Sequence, residues 1–419
     1  MKSKIKSLRV SFILVTLLYL LWGLANNMND TLLAAFKRIM SLSDLQTSLV
    51  QFAFYGSYFC FALPAALYIR KYSYKSGIML GLLIYAAGTM LFTPASKTGS
   101  YGFFLIAIYV MAAGCSILET TANPLIISLG SPQTATRRLN IAQSFNPLGA
   151  IIGILLSRHL ILSKLHSVDA SSRSSMLPAD LAIIQTQEFD AVSGTYFLIG
   201  CVLIVLTVII AFTAMNGERD TSTATLSVRS LMGILWRNKR YRYGIVAQFF
   251  YVGAQTCVWS FTIRLVMEEL TVREAAASDY FMMAIVLFTL CRFLFTLLMK
   301  YYSPAKLLTI STVCAITSTL LVILGKDVTA ICGLVAISAF MSLMFPTIYG
   351  LALDGIGGNS TKLASSGLIM SIVGGALITP VQGLVSDMTG DVSVSFCVPL
   401  VCFIVILIYS FAIVYGADD

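Results

Sequence analysis

The chain has 419 residues, of which 58% are hydrophobic and 11% charged, with a mean hydropathy of +0.86. A soluble domain is about half apolar and about a quarter charged, so part of this apolar surface must face lipid, which excludes a cytosolic enzyme, a secreted disulfide scaffold, a disordered regulator and a nucleic-acid-binding domain. The net charge of +9 arises from 28 Lys and Arg scattered along the chain, not from a basic stripe.

A membrane helix needs about 20 mostly apolar residues. Twelve such runs follow one another at 10–36, 46–69, 77–94, 101–129, 139–163, 191–215, 243–266, 279–299, 305–325, 328–353, 363–385 and 393–415. Gly and Pro inside several of them (Pro64, Pro124, Pro147, Pro346, Pro380) are common in membrane helices and do not veto the spans. The alternation of a membrane barrel is not the pattern here. The expected fold class is an all-α polytopic membrane protein with 12 transmembrane helices. The N-terminus, with basic residues before an apolar stretch and Gly23-Leu24-Ala25 as a weak cleavage site, can be read as a signal peptide. Eleven further spans follow, and removing the first breaks the even count.

With the N-terminus inside, the inner segments hold 18 Lys and Arg and the outer loops 9, while Arg292 lies within a helix. That bias predicts both termini in the cytoplasm of a bacterial inner membrane. It also accounts for the basic balance of the whole chain.

The longest charged inner segment, 216–242, divides the spans six and six. The predicted organisation is a half at 1–215, a linker at 216–242 and a half at 243–419. A short repeat supports the division: Ile69-Arg70-Lys71-Tyr72-Ser73 follows the second span, and Met299-Lys300-Tyr301-Tyr302-Ser303 follows the eighth, 230 residues later. Two six-helix halves with a substrate site between them near the bilayer midplane are the major facilitator arrangement.

Among the 19 carboxylates two fall deep inside spans, Asp30 in the first and Glu119 in the fourth. An ionised carboxylate at the bilayer centre costs roughly 2.5–3.5 kcal/mol on insertion scales, so such residues are functional candidates. The plainer alternative is a protonated acid hydrogen-bonded to a neighbouring helix. Asn26, Asn27 and Asp30 share a helical face, as do Glu119 and Asn123, and Gln143 and Asn146. The second half is more apolar, offering Gln255, Thr256, Trp259 and Ser260, then Phe345-Pro346-Thr347, then Ser371 with the small pair Gly374-Gly375, which suits close helix packing.

Carboxylates and amides bind sugar hydroxyls, and aromatic rings pack on a sugar's apolar face. No central Lys or Arg cluster is present to attract a phosphate or dicarboxylate. Arg292 has two readings: it snorkels to the cytoplasmic interface, or it lines the pathway and pairs with a helix carboxylate. The expected substrate is therefore a neutral monosaccharide, with a proton as coupling ion carried by Asp30 and Glu119.

The two histidines lie at or beyond the outer end of the fifth span. The nine cysteines sit in apolar runs without C-x-x-C spacing, and no P-loop occurs, so an enzyme, a metal site and an ATP-driven pump are not expected. A cation or drug exporter and a nutrient-sensing receptor are the remaining rivals. No cofactor and no nucleic-acid partner are expected, and a monomer in the bilayer is the expected state.

Several motifs in order resemble the fucose–galactose–glucose:proton symporter family of the major facilitator superfamily: Asn26-Asn27-Met28-Asn29-Asp30, Leu118-Glu119-Thr120-Thr121-Ala122-Asn123-Pro124, Gln143-Ser144-Phe145-Asn146, Gln248-Phe249-Phe250-Tyr251 and Ser342-Leu343-Met344-Phe345-Pro346. The resemblance implies that Asp30 cycles through protonation and that Glu119 takes part in sugar recognition and its coupling to proton movement. It also implies cavity roles for Asn27, Gln143, Asn146 and the aromatic Phe288. L-fucose is the implied sugar, with glucose or galactose as the alternative. Phe345 stands where the family's fucose transporters carry Tyr, and Pro147 where they carry Ser, which bears on the preferred hexose. The loop after the second span lacks the Gly and Asp of the superfamily's Gly-x-x-x-Asp-Arg loop.

Overall fold

The computed structural model describes residues 10–24, 39–40, 44–161, 176–213 and 227–415. Asn26, Asn27 and Asp30 lie outside the described residues. The described residues form helices and connecting turns, without a strand among them, and ten of these helices are long and apolar enough to cross a membrane.

Twelve helical lines follow in chain order. They are α1 (Val10–Leu24), α2 (Asp44–Lys71), α3 (Tyr74–Met90, continued by Phe92–Thr98), α4 (Tyr101–Ser128), α5 (α5a, Ala135–Gln143, and α5b, Phe145–Leu160) and α6 (Pro178–Phe212). After a linker helix at Val228–Arg237 come α7 (Lys239–Leu270), α8 (Glu274–Leu298), α9 (Pro304–Leu324), α10 (α10a, Asp327–Met341, and α10b, Met344–Ala352), α11 (Asn359–Met370 and Gly374–Thr389) and α12 (Val392–Ser395 and Cys397–Tyr415).

The sequence places most boundaries within a few residues. The exception is α6, expected at 191–215, which begins at Pro178. Pro at the first helical position costs no hydrogen bond there. The polar run that reads as loop is the helix's first three turns. Glu188 thus lies well inside α6, fully buried.

The repeat has a structural cause. Ser73 caps α3, its side chain accepting from Ser76 N, and Ser303 caps α9, its side chain accepting from Lys306 N. Both serines satisfy one of the N–H groups that a helix start leaves without a partner. At other ends a glycine stops the helix: Gly99 after α3 and Gly390 after α11 both adopt positive φ, which a left-handed cap requires.

Contacts divide the chain into two units, 1–122 with 148–217, and 123–147 with 218–419. The segment 123–147, the end of α4 and the whole of α5a, belongs by its contacts with the second unit. Besides the change at 217/218, the chain crosses between units at Ala122/Asn123, beside Pro124, and at Pro147/Leu148.

Within each unit, small residues set how closely helices approach. In the first unit a Cβ on Gly149 would stand 1.8 Å from Leu20 O of α1, so α5b lies directly on the α1 backbone. In the second unit a Cβ on Gly374 would stand 2.1 Å from Phe249 O of α7. Gly374 therefore has the packing role its sequence suggests. The outer faces are apolar: Leu198, Val202, Val205 and Ile209 lie exposed on one face of α6, as a lipid-facing stripe requires.

Gly374→Ala places a methyl against main chain that cannot rotate away, so it should lower the thermal-unfolding midpoint, by roughly 1–3 kcal/mol of overpacking. Gly194→Ala, with nothing within 4 Å of the new methyl, should leave the midpoint unchanged or raised. Thermal denaturation followed by size-exclusion chromatography of the detergent-solubilised variants measures both.

Candidate functional site

In the first unit the site is built on α4. Glu119 stands in the interior of this 28-residue helix and is 2% exposed. α4 is held between neighbours by side chains that find acceptors on other helices: Ser116 Oγ donates to Tyr58 O at 3.3 Å, and Ser57 Oγ donates to Tyr109 O at 2.8 Å. The Tyr58 hydroxyl lies within electrostatic reach of both Glu119 and Cys115. It also accepts the Trp22 indole N–H at 2.8 Å. A line of polar groups thus runs from Trp22 on α1 through Tyr58 on α2 to Glu119 on α4.

The sequence picks out Glu119 but not its two aromatic companions. Tyr58 sits in a mostly apolar run, and a tyrosine there carries no sign of a distant polar partner. Trp22 lies four residues before Asn26 in the sequence, the spacing of one helical turn. That spacing was the available signal.

The second unit carries the amides. Gln143, at the end of α5a, donates from Nε2 to Asn123 Oδ1 at 2.9 Å, and both residues are buried. Asn146 is partly buried on the first turn of α5b. Nearby on α7, Gln255 and Trp259 are partly buried, and the Trp259 ring meets Phe288 of α8 edge-on, with centroids 5.1 Å apart. The Trp259 indole N–H has no acceptor among the described residues. Of the predicted residues, therefore, Asn123 with Gln143, and Trp259 with Phe288, are brought into direct contact, and Arg292 joins both pairs.

Arg292 follows neither expectation. It does not snorkel, being 4% exposed, and among the described residues no carboxylate lies within ion-pair distance. Its Nε donates to Ser342 O at 2.5 Å and its Nη1 to Gln143 O at 3.2 Å, while the guanidinium lies over the Phe288 ring at 4.5 Å. Buried charge is tolerated here because two of the guanidinium's donor atoms meet main-chain oxygens and its plane meets an aromatic face.

The reason those oxygens are available is in the sequence. A carbonyl in a helix is satisfied by the N–H four residues later. Pro147 is four residues after Gln143, Pro346 is four after Ser342, and proline has no N–H. Both helices break at these points, between α5a and α5b and between α10a and α10b. Arg292 donates to both carbonyls that the two prolines leave without a helical partner.

Further contacts bind α5a to α10b. Asn140 Nδ2 donates to Thr347 Oγ1 at 3.2 Å, and a Cβ on Gly350 would stand 2.6 Å from Thr136 Oγ1. Among the described residues no group of three or more His, Cys, Asp or Glu is arranged to hold a metal, and the nine cysteines are free thiols.

The family model described as Major Facilitator Superfamily matches residues 12–380. The chain is 40% identical over 417 residues to an L-fucose-proton symporter of Haemophilus influenzae, covering 97% of each chain. It is 32% identical over 401 residues to a glucose/galactose transporter of Brucella abortus, covering 94% of this chain and 92% of the other. Among solved structures it is similar to FucP, a transporter of the same superfamily crystallised in the outward conformation, with a TM-score of 0.89 and 35% identity over 96% of this chain and 98% of that one.

Gln143→Leu keeps the volume but removes the amide donor to buried Asn123 Oδ1. It should lower stability by about 1–3 kcal/mol, read as a fall in the thermal midpoint, whereas Gln143→Asn, which keeps an amide on a shorter stem, should lose less.

Proposed function

Since this chain belongs to the major facilitator superfamily, we propose that it is a proton-coupled symporter that imports a neutral monosaccharide by alternating access, with L-fucose as the first candidate. The relatives' names favour fucose over glucose and galactose by identity, 40% against 32%. The observation that carries the reading is Glu119, a carboxylate 2% exposed in the interior of a membrane helix. Burying an acid in a membrane helix is expensive, which makes it a functional candidate by default.

The physics of coupling gives this acid its task. A neutral sugar gains nothing from the membrane potential. One elementary charge crossing 100 mV is worth roughly 2.3 kcal/mol, about a 50-fold concentration ratio. An acid that takes up a proton from the outer side and releases it when the inner side opens captures that energy, and Asp30 and Glu119 are assigned this task. Asp30 is the residue that cycles through protonation, and Glu119 links that cycle to sugar recognition.

The other roles follow from chemistry. The amides of Asn26, Asn27, Asn123, Gln143, Asn146 and Gln255 offer both donors and acceptors, which is what a polyol presents. Trp259 and Phe288 offer rings for the sugar's apolar face, and the Trp259 N–H offers a donor. The protein acts as a monomer in a bacterial cytoplasmic membrane with both termini inside, and it needs no cofactor beyond the proton.

Uptake of radiolabelled L-fucose, D-galactose and D-glucose into cells making this protein tests the substrate. Saturable accumulation of fucose is expected, and accumulation of glucose or galactose with fucose excluded would move the assignment to the other branch of the family. Asp30→Asn should equalise sugar inside and outside while leaving sugar binding measurable. If that variant still concentrates sugar, the proton is carried elsewhere.

A further inference from the structure

The α5 helix is shared between the two units. α5b packs with the first unit, and α5a lies with the second, held there by Arg292 Nη1 to Gln143 O, by Asn140 to Thr347 and by the close seat of Thr136 on Gly350. The change from one unit to the other falls at Pro147/Leu148, where the helix is broken. Any rearrangement of one unit against the other has two physical routes: α5 bends at Pro147, or α5a comes away from α8 and α10.

The hydrogen bonds of Arg292 discriminate between these routes. The tie to Ser342 O, 2.5 Å long, runs between α8 and α10, both wholly within the second unit. The tie to Gln143 O is longer, at 3.2 Å, and leads to a helix that the first unit also claims. Backbone carbonyls in lipid are costly to strand without a donor. A guanidinium, with several donors and no geometric need to leave Ser342, releases the Gln143 carbonyl more readily than a carboxylate pair would separate, since no charges are parted.

We propose that Arg292 is a positioning residue that works as a releasable latch: it holds α5a against the α10 break through the carbonyl that Pro147 exposes, and that bond is broken and remade in each transport cycle. While latched, the same bond fixes the main chain of Gln143 and so aims its side-chain amide at Asn123. Opening the latch frees the Gln143 amide at the moment when the inner side opens. The inference rests on alternating access but not on which sugar is carried.

The experiment uses a full-length chain with its nine cysteines replaced and spin labels at Gln133→Cys and Gly357→Cys. Both positions are exposed, and a Cβ on Gly357 meets nothing within 4 Å. They report the α5a side and the α10–α11 loop of one unit. Electron–electron double resonance in lipid nanodiscs, without sugar, gives the distance distribution.

Arg292→Lys keeps the charge but loses the planar fork, in which Nε holds Ser342 O while Nη1 reaches Gln143 O. Pro147→Ala restores an N–H that competes for the Gln143 carbonyl from within α5. Each should move the ratio of long to short distances by about tenfold toward long, as expected for losing one charged hydrogen bond. A merely structural arginine would lower the thermal midpoint of Arg292→Lys and leave the distribution of the folded protein alone. If Arg292→Lys does not fold, Pro147→Ala decides the matter. A distribution unchanged from the parent in the variants that fold means that α5 bends instead, and the latch is wrong. Because no sugar is added, the result stands even if the substrate assignment fails.

Discussion

Inside a bilayer no water is available to satisfy a main-chain carbonyl or a buried charge, and this constraint governs the rest of the molecule. Helices answer it for most of the backbone, since each carbonyl finds the N–H four residues on. Prolines reopen the problem at chosen places. Pro147 and Pro346 strip the donors from Gln143 O and Ser342 O, and Arg292 supplies both. The arginine in turn needs acceptors that bring no further charge into lipid. Two carbonyls and the face of Phe288 are a low-cost solution. The broken helices and the buried cation thus account for one another.

The same constraint explains how much the sequence could say. Lipid forces long apolar runs, so the twelve spans and the six-plus-six division stand out, and the Ser73 and Ser303 repeat proves to be a shared helix cap. An acid inside such a run is conspicuous, which is why Glu119 was found by counting. What escapes are features whose meaning depends on a distant partner. Arg292 reads as a snorkelling residue or as one paired with a carboxylate in the pathway, because its actual acceptors lie 50 residues and 149 residues away and are backbone atoms. The two prolines were visible as span interruptions, but which donor would replace their N–H groups depends on packing. Tyr58 was invisible because a tyrosine in an apolar run carries no mark of the Trp22 bond it accepts. The first turns of α6, with buried Glu188, were lost because a polar helix start looks like loop.

The division of roles along the chain follows. The acid-bearing helix α4 is anchored in the first unit by tyrosine and serine contacts, so that Glu119 sits in a fixed polar setting. The amide pair Asn123 and Gln143 lies beyond the point where α4 and α5 pass into the second unit. The paired amides and the points at which the chain passes from one contact unit to the other thus fall on the same stretch of α4 and α5. A transporter in which occupancy and conformation must inform one another needs that overlap, because a ligand shifts a conformational equilibrium only through contacts that differ between the two states.

Proton flux tied to sugar entry is the claim on which this account turns. Adding L-fucose to de-energised cells that make the protein, in weakly buffered medium, should produce a transient alkalinisation that an uncoupler abolishes, with galactose and glucose as comparisons. Sugar entry at a measurable rate with no change in external pH for any of the three would contradict it.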